Sequence, residues 1–144
     1  PLRGGLTQAL GPMPNLLEGW YELRNALYEG DMSHAEKLLK IQPTLLHDRN
    51  GIGETVLHFL AVEDCLPAVA WLYQRGASLD TKNEFGTPAL FEAAELGYTQ
   101  LVEWFIANGA STSQTDQYGS DLVSYLQQQD RDEMAALVQK LTGA

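Results

Sequence analysis

An all-α solenoid of stacked helix pairs is the fold class this sequence predicts, and three spacings predict it. Gly53, Gly86 and Gly119 follow one another at 33-residue steps; Trp71 and Trp104, like Ala61 and Ala94, are separated by the same step; and Gly76-Ala77 returns as Gly109-Ala110. Positions of such different chemistry hold one register only when the chain repeats a structural unit. Units of this length cannot bury an apolar face alone and are stable only when stacked.

Taken in order, the chain opens with an expected extension or linker over 1–19. Gly4-Gly5 and the breaker cluster Gly11-Pro12-Met13-Pro14 oppose helical continuity there. Pro1 is not an initiator methionine, so a fragment or a processed form is expected. Asn15, with Glu18 three residues on, has the pattern of a helix-opening capping pair. The repeat region is expected over 20–144, with units at 20–50, 51–83, 84–116 and 117–142.

The first unit contains Leu23-Arg24-Asn25-Ala26-Leu27-Tyr28-Glu29-Gly30-Asp31 and Ala35-Glu36-Lys37-Leu38-Leu39, which read as a helix pair. In the second, Thr55 is placed to cap a short helix whose apolar positions Leu57, Leu60 and Ala61 recur at helical spacing. Small Ala61, Ala93 and Ala94 let first helices approach closely, while Val69, Trp71, Leu72, Val102, Trp104 and Phe105 supply bulk from second helices. Gly76 and Gly109 end those second helices, since glycine takes the left-handed conformation without steric cost. In the fourth unit Gln127 stands where earlier units carry Ala61 and Ala94, and the glutamines continue to Gln129, as suits a terminal repeat whose outer face meets water.

The second unit reads Gly53-Glu54-Thr55-Val56-Leu57-His58-Phe59-Leu60-Ala61 and closes on Gly76-Ala77-Ser78. The third reads Gly86-Thr87-Pro88-Ala89-Leu90-Phe91-Glu92-Ala93-Ala94 and closes on Gly109-Ala110-Ser111. Both resemble the ankyrin repeat. Val56 stands at the family's proline, Phe91 at its histidine, and Asp64-Cys65 at its Gly-His, which puts turn geometry in question there. The resemblance implies hairpin fingers between the helix pairs, and a structural His58 that ties the helix start to the hairpin. Trp71 and Trp104 share one register on an otherwise apolar helix face, so they are expected in the inter-repeat core rather than as a ligand pair.

Several chemistries lack support. Cys65 and His58 have no orienting third group, so a thiol enzyme is disfavoured. The carboxylates Glu92 and Glu95 have little sequence around them from which to build a closed pocket. No cysteine and histidine set has metal-ligand spacing, no glycine-rich phosphate loop occurs, and no cofactor is expected. The single cysteine is compatible with a reducing, cytoplasmic setting. No apolar run approaches the ~20 residues of a membrane span.

Net charge is −10, and no basic residue lies between Lys82 and Arg131. Nucleic acid and anionic membranes are excluded by that field, whereas a basic protein surface is attracted. The resemblance implies a concave face of fingers and first helices. Three helix columns follow from the register: Asn25, Phe59, Glu92 and Tyr125; Tyr28, Val62, Glu95 and Gln128; Glu29, Glu63, Leu96 and Gln129. The finger column is Ile52, Phe85 and Tyr118, with finger-to-finger packing as its competing role. The expected function is that of a monomeric, non-enzymatic scaffold binding another protein through this face. Alternatives are an inhibitor or immunity-type protein that masks a basic toxin or enzyme, a targeting module of a larger protein, and an enzyme using Cys65 or paired carboxylates.

Overall fold

The computed structural model describes residues 17–143. Among the described residues eight α-helices run α1 (Glu18–Glu29), α2 (Met32–Ile41), α3 (Val56–Val62), α4 (Leu66–Gln74), α5 (Ala89–Glu95), α6 (Thr99–Ala107), α7 (Leu122–Gln128) and α8 (Asp132–Thr142). A 3-10 turn, Pro43–Leu46, follows α2 and inserts Leu45 into the core. Consecutive helices pair within each unit, and α1, α3, α5 and α7 stack as one layer. The solenoid expected from the period is therefore the fold. No described helix is long and apolar enough to cross a membrane.

Local chemistry sets the ends of the helices. The Thr55 hydroxyl accepts the His58 N–H at 3.2 Å, Asp31 accepts from His34 at 3.1 Å, and Asp121 from Ser124 at 2.8 Å. Each satisfies a donor that the first helical turn leaves open. Beyond α4 and α6, Gly76 and Gly109 take φ of 102° and 88°. The next amides, of Ala77 and Ala110, bond back to Leu72 and Phe105. Between the helices of each unit Gly30, Asp64, Gly97 and Asp130 all sit at positive φ. The turn at Asp64-Cys65 thus keeps the glycine geometry on an aspartate, one of the few residues that tolerate it.

Ala61, Ala93 and Ala94 are fully buried in one core cluster with Leu60, Val69, Leu72, Leu90, Val102 and Phe105. The two tryptophans divide. Trp71 is buried, with the Arg75 guanidinium 3.7 Å from its ring centroid and itself held by Glu36 at 2.8 Å. Trp104 is only partly buried and lies edge-on to Tyr73 and Phe105, at the rim of the seam rather than its centre. Trp20, outside the periodic pattern, is fully buried and donates its indole N–H to the Glu54 carbonyl at 3.1 Å, joining units one and two. Of the extension expected over 1–19, residues 1–16 and with them the Asn15 cap lie outside the described residues, while Glu18 and Gly19 open α1.

Candidate protein-binding face

Each finger is built around one Asx side chain. Asn50 accepts the amides of Ile52 and Glu54 at 3.1 and 2.9 Å; Asn83 those of Phe85 and Thr87 at 2.9 and 3.0 Å; Asp116 those of Tyr118 and Ser120, both at 2.9 Å. The same turn is thereby clamped three times in register. Its tip residue is the one before the glycine. Gly53 must be glycine, because a Cβ there would come within 2.8 Å of the Glu84 backbone nitrogen on the next finger. That nitrogen donates to the Ile52 carbonyl at 3.2 Å.

Two cations fasten finger to finger. Arg49 donates to the carbonyls of Gly53 and Lys82, and Lys82 donates to the carbonyl of Thr115 at 2.8 Å. Backbone stacking and these fasteners hold the fingers together without the tips. Ile52, Phe85 and Tyr118 are left 49%, 58% and 82% exposed.

The helix columns are more heterogeneous than their register suggests. On α1, Asn25, Tyr28 and Glu29 are exposed. Arg24 donates to Asn25 Oδ1 and lies over the rings of Tyr21 and Phe59 at 5.0 and 5.1 Å. Phe59, half-buried beneath this cation, also meets Trp20 edge-on. Val62 is half-buried, while Glu63, Leu96, Gln128 and Gln129 are exposed.

Glu92 and Glu95, expected in the same partner-facing field as Glu63, have internal partners. Tyr125 donates its hydroxyl to Glu95 at 2.7 Å. Burial, and then that carboxylate, push the Tyr125 ionisation well above the usual tyrosine range. Glu92 accepts from Asn83 at 3.4 Å and meets His58 Nε2 at 2.5 Å. His58 is fully buried, its Nε2 also stands 3.5 Å from Glu54, and its Nδ1 has no partner. Its ring therefore ties unit two to Glu92 of unit three rather than to hairpin backbone. Burial raises the Glu54 carboxyl above its ordinary value; the nearby His58 opposes this and the Glu92 charge adds to it.

Some of this was hidden in the sequence. Asn50, Asn83 and Asp116 recur at 33-residue steps, a signal of the finger clamps that could have been read. The Glu54, His58 and Glu92 group had no such signal, since its third member comes from the next unit. An open groove of about 730 Å³ between units three and four, lined by Glu95, Leu96, Asp130, Arg131 and Met134 among others, was equally invisible. Cys65 is half-buried at the start of α4.

Paired helices, clamped fingers and a stacked first-helix layer define an ankyrin-repeat protein. Residues 57–106 match the family model described as ankyrin repeats (many copies), in keeping with the ankyrin-type stack of helix pairs around them. It is similar to two rice (Oryza sativa subsp. japonica) proteins. One is named probable E3 ubiquitin-protein ligase XBOS32, 27% identical over 95 residues, which is 65% of this chain and 19% of that protein. The other is named probable E3 ubiquitin-protein ligase XBOS33, 28% identical over 95 residues, 65% of this chain and 18% of that protein. The chain thus spans under a fifth of the length of these curated relatives. Ankyrin repeats generally mediate protein–protein interaction and are typically non-enzymatic.

Proposed function

We propose that this chain is a non-enzymatic scaffold that binds a protein with a basic surface through its concave face. The observation that carries the reading is the finger row: Ile52, Phe85 and Tyr118, presented by the same clamped turn, stand 49%, 58% and 82% exposed. Aromatic and aliphatic side chains held out in register are the anchors that interface cores use. Tyr28 and Leu96 extend the apolar surface onto the helices, at 60% and 50% exposure. Glu29, Glu63 and Glu84 are exposed as well. They add the negative field that steers a cationic partner.

The test begins with a partner captured by the full chain and identified, and proceeds to binding kinetics. Phe85→Ala with Tyr118→Ala is expected to accelerate dissociation by about tenfold or more, which is ~1.4 kcal/mol. Glu29, Glu63 and Glu84 changed together to glutamine are expected to slow association and flatten its salt dependence, with little effect on dissociation. A partner indifferent to both sets would place recognition elsewhere and overturn the reading.

A further inference from the structure

We propose that Glu54, His58 and Glu92 form a site for one divalent cation of the zinc class, at the junction of the second and third repeats. The imidazole nitrogen and the two carboxylates offer donor atoms that all lie within 4.8 Å of one another. One nitrogen and two carboxylate oxygens, with a fourth position left for water, are a donor set that zinc accepts in tetrahedral geometry. Calcium and magnesium want six or more oxygens and little nitrogen, so the same set disfavours them.

Charge balance argues for a cation here. Two carboxylates converge on a single imidazole nitrogen, and one N–H can be given fully to only one of them. Among the described residues neither carboxylate has an ion pair with a lysine or arginine. The two basic side chains on the adjoining fingers, Arg49 and Lys82, donate to backbone carbonyls instead. Buried charge without a counter-charge is costly. A divalent ion would neutralise both carboxylates at once, which one proton cannot.

Geometry supports binding on two counts. The imidazole is held in place: it belongs to the first turn of α3, is fully buried, and directs Nε2 at both carboxylates. Glu54 is fixed through its backbone, its amide held by Asn50 and its carbonyl by Trp20. Glu92 is the adjustable ligand, with a side chain 25% exposed and so open to solvent. Its Oε2 stands 2.5 Å from Nε2. Two donors sharing a tetrahedral zinc stand ~3.3 Å apart, so Glu92 must withdraw by under ~1 Å, well within the reach of such a chain. One register step on, Thr87, Phe91 and Tyr125 take the three places, and the donor set is lost.

The full chain, stripped with a chelator, should be titrated with zinc chloride by calorimetry, with cobalt(II) absorption as the report of coordination geometry. One equivalent is expected to bind, raising the midpoint of thermal unfolding and giving tetrahedral cobalt bands. Glu54→Gln and Glu92→Gln, each verified as folded by circular dichroism, are expected to weaken binding by tenfold or more. His34→Gln with His47→Gln, which removes the exposed imidazoles, is expected to leave it intact. Absence of saturable binding by the parent would overturn the site, with protons alone then balancing the cluster. Binding that survived both glutamate variants, or vanished with His34 and His47, would overturn it equally.

Discussion

The junction between the second and third repeats and the junction between the third and fourth use the same backbone arrangement for opposite chemistries. At the first, the register position holds His58, fully buried against Glu54 and Glu92. At the second it holds Phe91, equally buried, its ring 5.2 Å from that of Tyr125, which occupies the register place of Glu92. The polar link then moves one turn along the helix, to the Tyr125 hydroxyl and Glu95. A repeat register assigns a side chain its location and its neighbours' locations. It leaves open whether the seam is sealed by dispersion or by charge.

The largest effect is expected at the apolar junction. Phe91→Ala should cost ~3–5 kcal/mol through lost transfer energy and a residual cavity. Because stacked repeats couple mainly to their neighbours, the fourth repeat should uncouple first, seen as a separated phase in urea unfolding. Trp104→Ala should cost less than Phe91→Ala, since Trp104 lies at the rim and surrenders less buried area. Equal costs would mean that rim and centre are not distinguishable.

The polar junction should respond next. His58→Phe, which writes the third repeat's residue into the second, removes the imidazole N–H that both carboxylates face and should cost ~1–3 kcal/mol in metal-free protein. Adding Glu92→Gln should recover part of that loss by removing one buried charge. Urea midpoints of the single and double variants decide whether the carboxylates, rather than the ring's shape, make the difference. Writing histidine into the third repeat, Phe91→His, should also destabilise, because no carboxylate takes the Glu92 register place there.

A smaller effect belongs to the displaced polar link. Tyr125→Phe should cost ~1 kcal/mol, a half-buried hydrogen bond to a carboxylate. In the folded state Tyr125 keeps its proton to higher pH than the usual 10.0. The unfolded chain releases that proton first, so the contribution of this group to stability falls as pH climbs past the usual value. Unfolding measured across that alkaline window should show a shallower decline in Tyr125→Phe, and an identical slope in both proteins would remove the link.

The inter-helix turns sharpen the comparison at the lowest energies. Gly97 serves the third repeat where Asp64 serves the second, at φ of 82° and 56°. Asp64→Gly should stabilise by ~0.5–1 kcal/mol, because glycine alone occupies that region freely. Cys65→Ser beside it should stay within ~0.5 kcal/mol and leave partner binding unchanged. A midpoint that falls on Asp64→Gly would show that the aspartate side chain contributes more than its strain costs.

What was legible in the sequence was whatever repeats or acts locally. The 33-residue step located the helix pairs, Thr55 announced the start of α3, and Gly76 and Gly109 announced the ends of α4 and α6, because caps depend on the few residues around them. The alanine seam was readable for the same reason: every unit must meet its neighbour closely. The even treatment of the columns was not reliable. Asn25 and Phe59 are engaged by Arg24, Glu92 by His58 and Asn83, and Glu95 by Tyr125. A column records which Cα atoms align, while these pairings depend on side-chain reach between adjacent units.

The sequence by itself determined the solenoid and its helix ends, since periodic burial and backbone conformation are encoded residue by residue. Only the tertiary structure decided that Trp20 is core, that Trp104 is rim, and that Glu54, His58 and Glu92 meet at one point. Those outcomes turn on distances of a few ångströms between groups far apart in the chain, where hydrogen bonding and desolvation choose among partners that the register alone leaves equivalent.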